Sequence, residues 1–147
     1  SAFDRFHAAI ASRLLAYEKD EPRTKQIPIE IHCATRLPWR HAIAVPAVVW
    51  HELWFGCYRL QPSARRNAIE QYLSTVVAGS LPILPYDARA ADWHASERAR
   101  LGTVGNTPPF ADGMIAAIAR TNDLTLVTFN LDDYYPFDGL RITDWQT

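Results

Sequence analysis

Cysteine is nearly missing from this 147-residue chain: Cys33 and Cys57 are the only two. Two cysteines make no disulfide framework, and without a Cys-x-x-Cys pair the sequence offers no thiolate zinc site. Long apolar runs are absent as well. The longest, Ala42 to Trp50, contains Pro46 and falls far short of the ~20 residues of a membrane-spanning helix. The opening residues lack the basic-then-apolar order of an export signal, so a reducing, cytoplasmic setting is expected. Charge of one sign is not in excess: 15 Lys and Arg against 16 Asp and Glu leave a net charge of −1. Holding nucleic acid by bulk charge is thereby excluded, and any chemistry on nucleic acid must come from a local site. Glycine is scarce, at six residues, and no repeat, low-complexity tract or linker-like run occurs. What is present, 48% hydrophobic and 21% charged residues, suits one globular domain over residues 1–147.

Phe3, Phe6, Ile10, Leu14 and Tyr17 recur at helical spacing, which predicts an amphipathic helix broken by Pro22. Ile27, Ile29, Ile31 and Cys33 alternate as in a short strand, and Pro28 confines it to an edge or an extended loop. Further strands are predicted over 42–45, 81–86, 124–129 and 140–145. Helices are predicted over 48–60, from Pro62 to Gly79, from a cap at Asp87 through Leu101, and over 110–122. Helices alternating with short apolar strands predict an α/β fold. Its three-layer α/β/α form would hold a small, mostly parallel central sheet.

The chemical interest lies in acids placed among apolar residues. Glu52 has Val48, Val49 and Phe55 as its helical neighbours, and Asp112 has Ile115 and Ala116. A third acidic location follows the strand that ends at Phe129: Thr128, Asn130, Asp132 and Asp133. An unpaired carboxylate in apolar surroundings costs several kcal/mol, and a hard cation such as Mg²⁺ or Mn²⁺ removes that cost. Residues just beyond strand carboxyl ends line the crevice of a parallel sheet, so these groups can converge there. Each also has a plainer role. Glu52 can pair with an arginine, Asp112 can serve the helix dipole, and Asn130 and Asp133 can be turn and cap residues.

Other candidates carry less. His51-Glu52-Leu53-Trp54-Phe55 opens like a zincin His-Glu-x-x-His motif, but Phe55 stands where the second histidine is required. No Gly-rich phosphate loop and no Gly-x-Ser-x-Gly elbow occurs. Cys57 reads as core, and His94 as a partly exposed polar residue. Trp50, Trp54 and Trp93 read as core or interface residues, and Arg59, Arg65, Arg66, Arg98 and Arg100 as a solvated face.

Five stretches carry a family resemblance: Ala42–Gly56 (AIAVPAVVWHELWFG), Leu84–Ala91 (LPYDARAA), Phe110–Ala117 (FADGMIAA), Leu126–Asn130 (LVTFN) and the closing Asp144-Trp145. In this order and spacing, from about residue 42 to the C-terminus, the sequence resembles PIN-domain proteins of the VapC type, toxins of type II toxin–antitoxin systems. The resemblance implies a PIN-like fold. It makes Glu52, Asp112 and Asp133 metal-binding acids, with Asn130 and Thr128 completing the catalytic set. The activity it implies is Mg²⁺-dependent endoribonuclease cleavage, with Mn²⁺ as a substitute. The implied partners are an RNA substrate, a VapB-like antitoxin and a second copy in a homodimer, with no membrane. Trp50, Trp54 and Tyr58 would line the antitoxin groove.

The family also opens on an apolar strand ending in Asp-Thr-Asn, whose Asp is its first metal ligand. Residues 1–41 are atypical in this respect: neither Asp4 nor Asp20 follows an apolar run, and the first acid has no assignment. A change of reading frame upstream of Ala42 would produce such a break. A second reading follows, in which a catalytically impaired relative persists as a dimeric antitoxin-binding partner.

Overall fold

Five short strands form the central sheet, in the order β3-β2-β1-β4-β5. The computed structural model describes residues 13–18 and 41–144. The strands are β1 (Arg13–Glu18), β2 (His41–Pro46), β3 (Ile83–Leu84), β4 (Thr125–Thr128) and β5 (Ile142–Thr143). The helices are α1 (Ala47–Tyr58), α2 (Ala64–Gln71), α3 (Ala88–Thr103), α4 (Phe110–Thr121) and α5 (Leu131–Tyr134). A π-helical stretch, Tyr72–Val77, and a last turn, Ala78–Ser80, prolong α2.

β2 pairs with β3 in parallel, and β4 with β5. β1 lies antiparallel to both of its neighbours, with Leu15 opposite Ala44 on one side and Leu126 on the other. Four of the five strands therefore point one way, and the central strand alone is reversed. The sequence predicts helix over Phe3–Tyr17, and the structure corrects this for residues 13–18, which are strand. A central strand gains ladder hydrogen bonds along both edges, which outweighs a spacing pattern that rests mainly on Phe3, Phe6 and Ile10. Those three residues, and the strand expected over Ile27–Cys33, lie outside the described residues.

Ile43, Ala44 and Val45 of β2 and Leu126, Val127 and Thr128 of β4 are all buried. Burial of successive residues requires cover on both faces, as in a three-layer α/β/α arrangement. α1 contributes Val49, Leu53 and Cys57 to the core at four-residue intervals. α4 is buried nearly all round, from Ile115 through Ala119. Its small alanines let α1 and α3 pack against it closely.

The caps follow their chemistry. The Asp87 carboxylate accepts from the Ala90 amide (2.9 Å), and the Ser63 hydroxyl from the Arg66 amide (3.1 Å). Glu97, by contrast, is buried on α3 where the sequence gives no hint of it. Its carboxylate accepts both Nε and Nη2 of Arg100, each at 2.8 Å, and the Asp138 amide at 2.9 Å. Hydrogen bonds from Arg100 hold its carboxyl below the usual carboxylate range, against the desolvation that opposes this. Arg100 also donates to the Pro136 carbonyl, so it fastens the segment after α5 to α3.

Candidate active site

The topology puts Glu52 and Asp112 on helices that meet near the sheet's carboxyl edge. β2 ends at Pro46 and runs straight into α1, which places Glu52 in the second turn above that edge. α4 returns across the sheet to start β4, so its first turn, with Asp112, lies at the same edge. α1 packs against α4, and both Glu52 and Asp112 are half-buried. β4 ends at Thr128 and feeds through Phe129 and Asn130 into α5, which carries Asp133.

Hydrogen bonds join these pieces. The buried Tyr134 hydroxyl donates to Asp112 Oδ1 at 3.1 Å and ties α5 to the first turn of α4. The fully buried Thr128 hydroxyl accepts the Asn130 amide at 3.0 Å, and the Asn130 carbonyl accepts the Asp133 amide at 3.1 Å. Thr128, Asn130 and Asp133 thus belong to one hydrogen-bonded turn, with Asn130 and Asp133 exposed at its surface.

Among the described residues, no group of three or more His, Cys, Asp or Glu side chains is arranged to hold a metal ion. The central strand does not supply the missing acid at this edge. Because β1 is reversed, Arg13 is the residue opposite Thr128, and Glu18 pairs with His41 at the far edge.

The sequence does not announce the Tyr134–Asp112 bond or the close contact of His94 with Gly113. His94, expected to be partly exposed, is only 4% exposed. Its Nδ1 shares a hydrogen bond with the Tyr86 hydroxyl at 2.9 Å, and its ring lies 4.8 Å from that of Phe110. Its Nε2 reaches so close to α4 that a Cβ at position 113 would stand 2.1 Å away, so only glycine fits there. Burial, with the nearby charge of Arg98, pushes the His94 pKa below its ordinary value.

That direction predicts a stability profile. When the pH drops below about 6.5, the unfolded chain takes up a proton at His94 before the folded protein does. The stabilisation from a neutral, buried His94 is therefore complete above about pH 6.5 and declines as the pH falls towards the depressed folded value. Urea unfolding of the wild type should lose stability over that interval, and His94→Leu should show a shallower loss. Identical slopes would contradict the assignment.

The expected solvated arginine face is partly engaged. Arg98 lies over the Phe110 ring (5.1 Å), Arg59 over Phe55 and Arg66 over Tyr58 (both 5.6 Å), while Arg100 holds Glu97. On α1, Trp54 contacts the rings of Trp50 (5.7 Å) and Tyr58 (5.1 Å). Trp93 packs beside Phe137 at the core, as expected of it.

Residues 11–138 match the family profile described as PIN domain, which reaches back into the segment before Ala42. The chain is 34% identical over 104 residues to the tRNA(fMet)-specific endonuclease VapC of Shigella flexneri, covering 70% of this chain and 75% of that protein. It is 29% identical over 107 residues to Toxin FitB of Neisseria gonorrhoeae, covering 70% and 76%. The crystal structure of DNA-bound VapBC from Salmonella typhimurium superimposes with a TM-score of 0.62 at 28% identity, covering 69% of this chain and 74% of that one. With its acids at the sheet's carboxyl edge and this match over most of its length, the chain belongs to the PIN-domain family.

Proposed function

We propose that this protein is an endoribonuclease toxin of a toxin–antitoxin pair, acting in the cytoplasm and hydrolysing RNA phosphodiester bonds with Mg²⁺, for which Mn²⁺ substitutes. The observation that carries this reading is Asp112, held at the sheet's carboxyl edge by the Tyr134 hydroxyl, beside the Asp133 turn and on a helix packed against that of Glu52. The donors fit a hard cation in kind, all being carboxylate oxygens, though the described residues fall short in number. When bound, such a cation polarises the scissile phosphate and acidifies the attacking water. Glu52, Asp112 and Asp133 would hold it. Asn130, whose backbone N–H donates to the Thr128 hydroxyl, is the residue we assign, with Thr128, to orienting the water.

Exposed rings flank three of these groups: Phe110 (51%) two residues before Asp112, Phe129 (54%) beside Asn130, and Tyr135 (80%) two after Asp133. With a near-neutral chain, stacking of unpaired bases on such rings is the favoured way to hold RNA. The Trp50, Trp54 and Tyr58 ladder on α1 is assigned to a VapB-like antitoxin helix, in a homodimeric toxin.

Cleavage of a single-stranded RNA should require the divalent cation and stop with EDTA, and Glu52→Ala should abolish it. Cleavage that survives both chelation and Glu52→Ala would overturn the metal mechanism. The reversed β1, which sets Arg13 and no acid opposite Thr128, favours one second reading: an impaired relative that only binds an antitoxin. Calorimetric titration separates the two, because the impaired form takes up neither Mg²⁺ nor Mn²⁺.

A further inference from the structure

Tyr134 belongs to none of the sequence motifs, and the fold places its hydroxyl on Asp112. We propose that Tyr134 is a positioning residue that sets the Asp112 carboxylate for the reaction; the inference rests on the nuclease reading above. Three observations carry it. The phenol oxygen lies 3.1 Å from Asp112 Oδ1, within hydrogen-bond distance. The Tyr134 ring is 2% exposed and packs near Phe137 (6.3 Å between centroids), so the hydroxyl cannot swing away without disturbing the core. Tyr134 also follows Asp133 directly on α5, so one ring fixes the distance between the turn bearing Asp133 and the turn bearing Asp112.

The physical effect is one of orientation. An aspartate at a helix surface samples several rotamers, and a donor on one carboxylate oxygen selects one of them. The Asp112 carboxylate is then held in one orientation. Groups that orient a ligand in this way change metal affinity or activity by 10–100-fold when removed, although they touch neither substrate nor metal. The neutral phenol adds no charge, so it orients Asp112 without competing as an anion.

Tyr134→Phe removes the hydroxyl and keeps the ring, and four measurements read the result. In cation-free protein, isotope-edited infrared spectroscopy should show the Asp112 carboxylate stretch, identified by its loss in Asp112→Asn, at a shifted position in Tyr134→Phe. In RNA cleavage, kcat should fall about tenfold while KM for the RNA stays within about twofold. The calorimetric Kd for Mn²⁺ should rise about tenfold, with a thermal midpoint close to that of the wild type. A merely structural tyrosine would lower the thermal midpoint and leave the carboxylate band and the kcat of the folded fraction unchanged. An unshifted band, or an unchanged kcat in an active wild type, overturns the positioning role and leaves the nuclease reading standing. A wild type that neither binds Mn²⁺ nor cleaves RNA overturns both.

Discussion

Asp112→Asn is expected to lower RNA cleavage about a thousandfold while the protein stays folded. The substitution keeps the size and shape of the side chain and retains an oxygen that can accept from Tyr134, so packing at the first turn of α4 is preserved. What it removes is the negative charge. Transition-state stabilisation by a bound cation is worth several kcal/mol, and each 1.36 kcal/mol is a factor of ten in rate, so weakened cation binding translates to roughly three powers of ten. The same charge also favours the helix N-terminus, by about 0.3–1 kcal/mol, so a modest drop in stability accompanies the kinetic loss. Cleavage within tenfold of wild type would remove Asp112 from the catalytic set.

Gly113→Ala is expected to destabilise the fold by about 1–2 kcal/mol, against the usual sign for such a change. Inside a helix, alanine is ordinarily better than glycine by about 1 kcal/mol. Here the added methyl would meet His94 Nε2 at 2.1 Å, Cδ2 at 2.7 Å and Cε1 at 3.0 Å. His94 cannot yield cheaply, because it is buried, bonded to the Tyr86 hydroxyl and packed against Phe110. Overpacking of a closed core costs about 1–3 kcal/mol and exceeds the helix propensity gained. Urea unfolding measures the change, and a second variant tests its cause. In a His94→Ala background the ring is gone, and Gly113→Ala should there be neutral or stabilising, a strong coupling between the two positions. A higher midpoint for Gly113→Ala alone would contradict the packing account.

Legibility in the sequence followed the range of the interactions. β2 and β4 are short apolar runs with a proline or polar residues at their ends, and α3 begins at a capping aspartate whose side chain makes the expected bond. Such features are local, so the pattern carries them. The placement of Glu52 and Asp112 at one edge also follows from alternation of strand and helix, because that alternation fixes which helix ends meet at the strand carboxyl termini. β1 was not legible, since its strand state depends on pairing with β2 and β4, both distant in the chain. Nor were Glu97, His94 and Tyr134. Each is a polar residue buried by partners that no short-range pattern announces: Arg100 with the Asp138 amide, Tyr86 with Gly113, and Asp112.

The most direct test of a shared cation at the carboxyl edge is paramagnetic broadening of amide resonances during a Mn²⁺ titration. Signals around Glu52, Asp112 and Asp133 should fade together at the same low Mn²⁺ concentration, and excess Mg²⁺ should restore them. Broadening that reaches Asp112 while Glu52 stays sharp, or none at all, would contradict a shared cation.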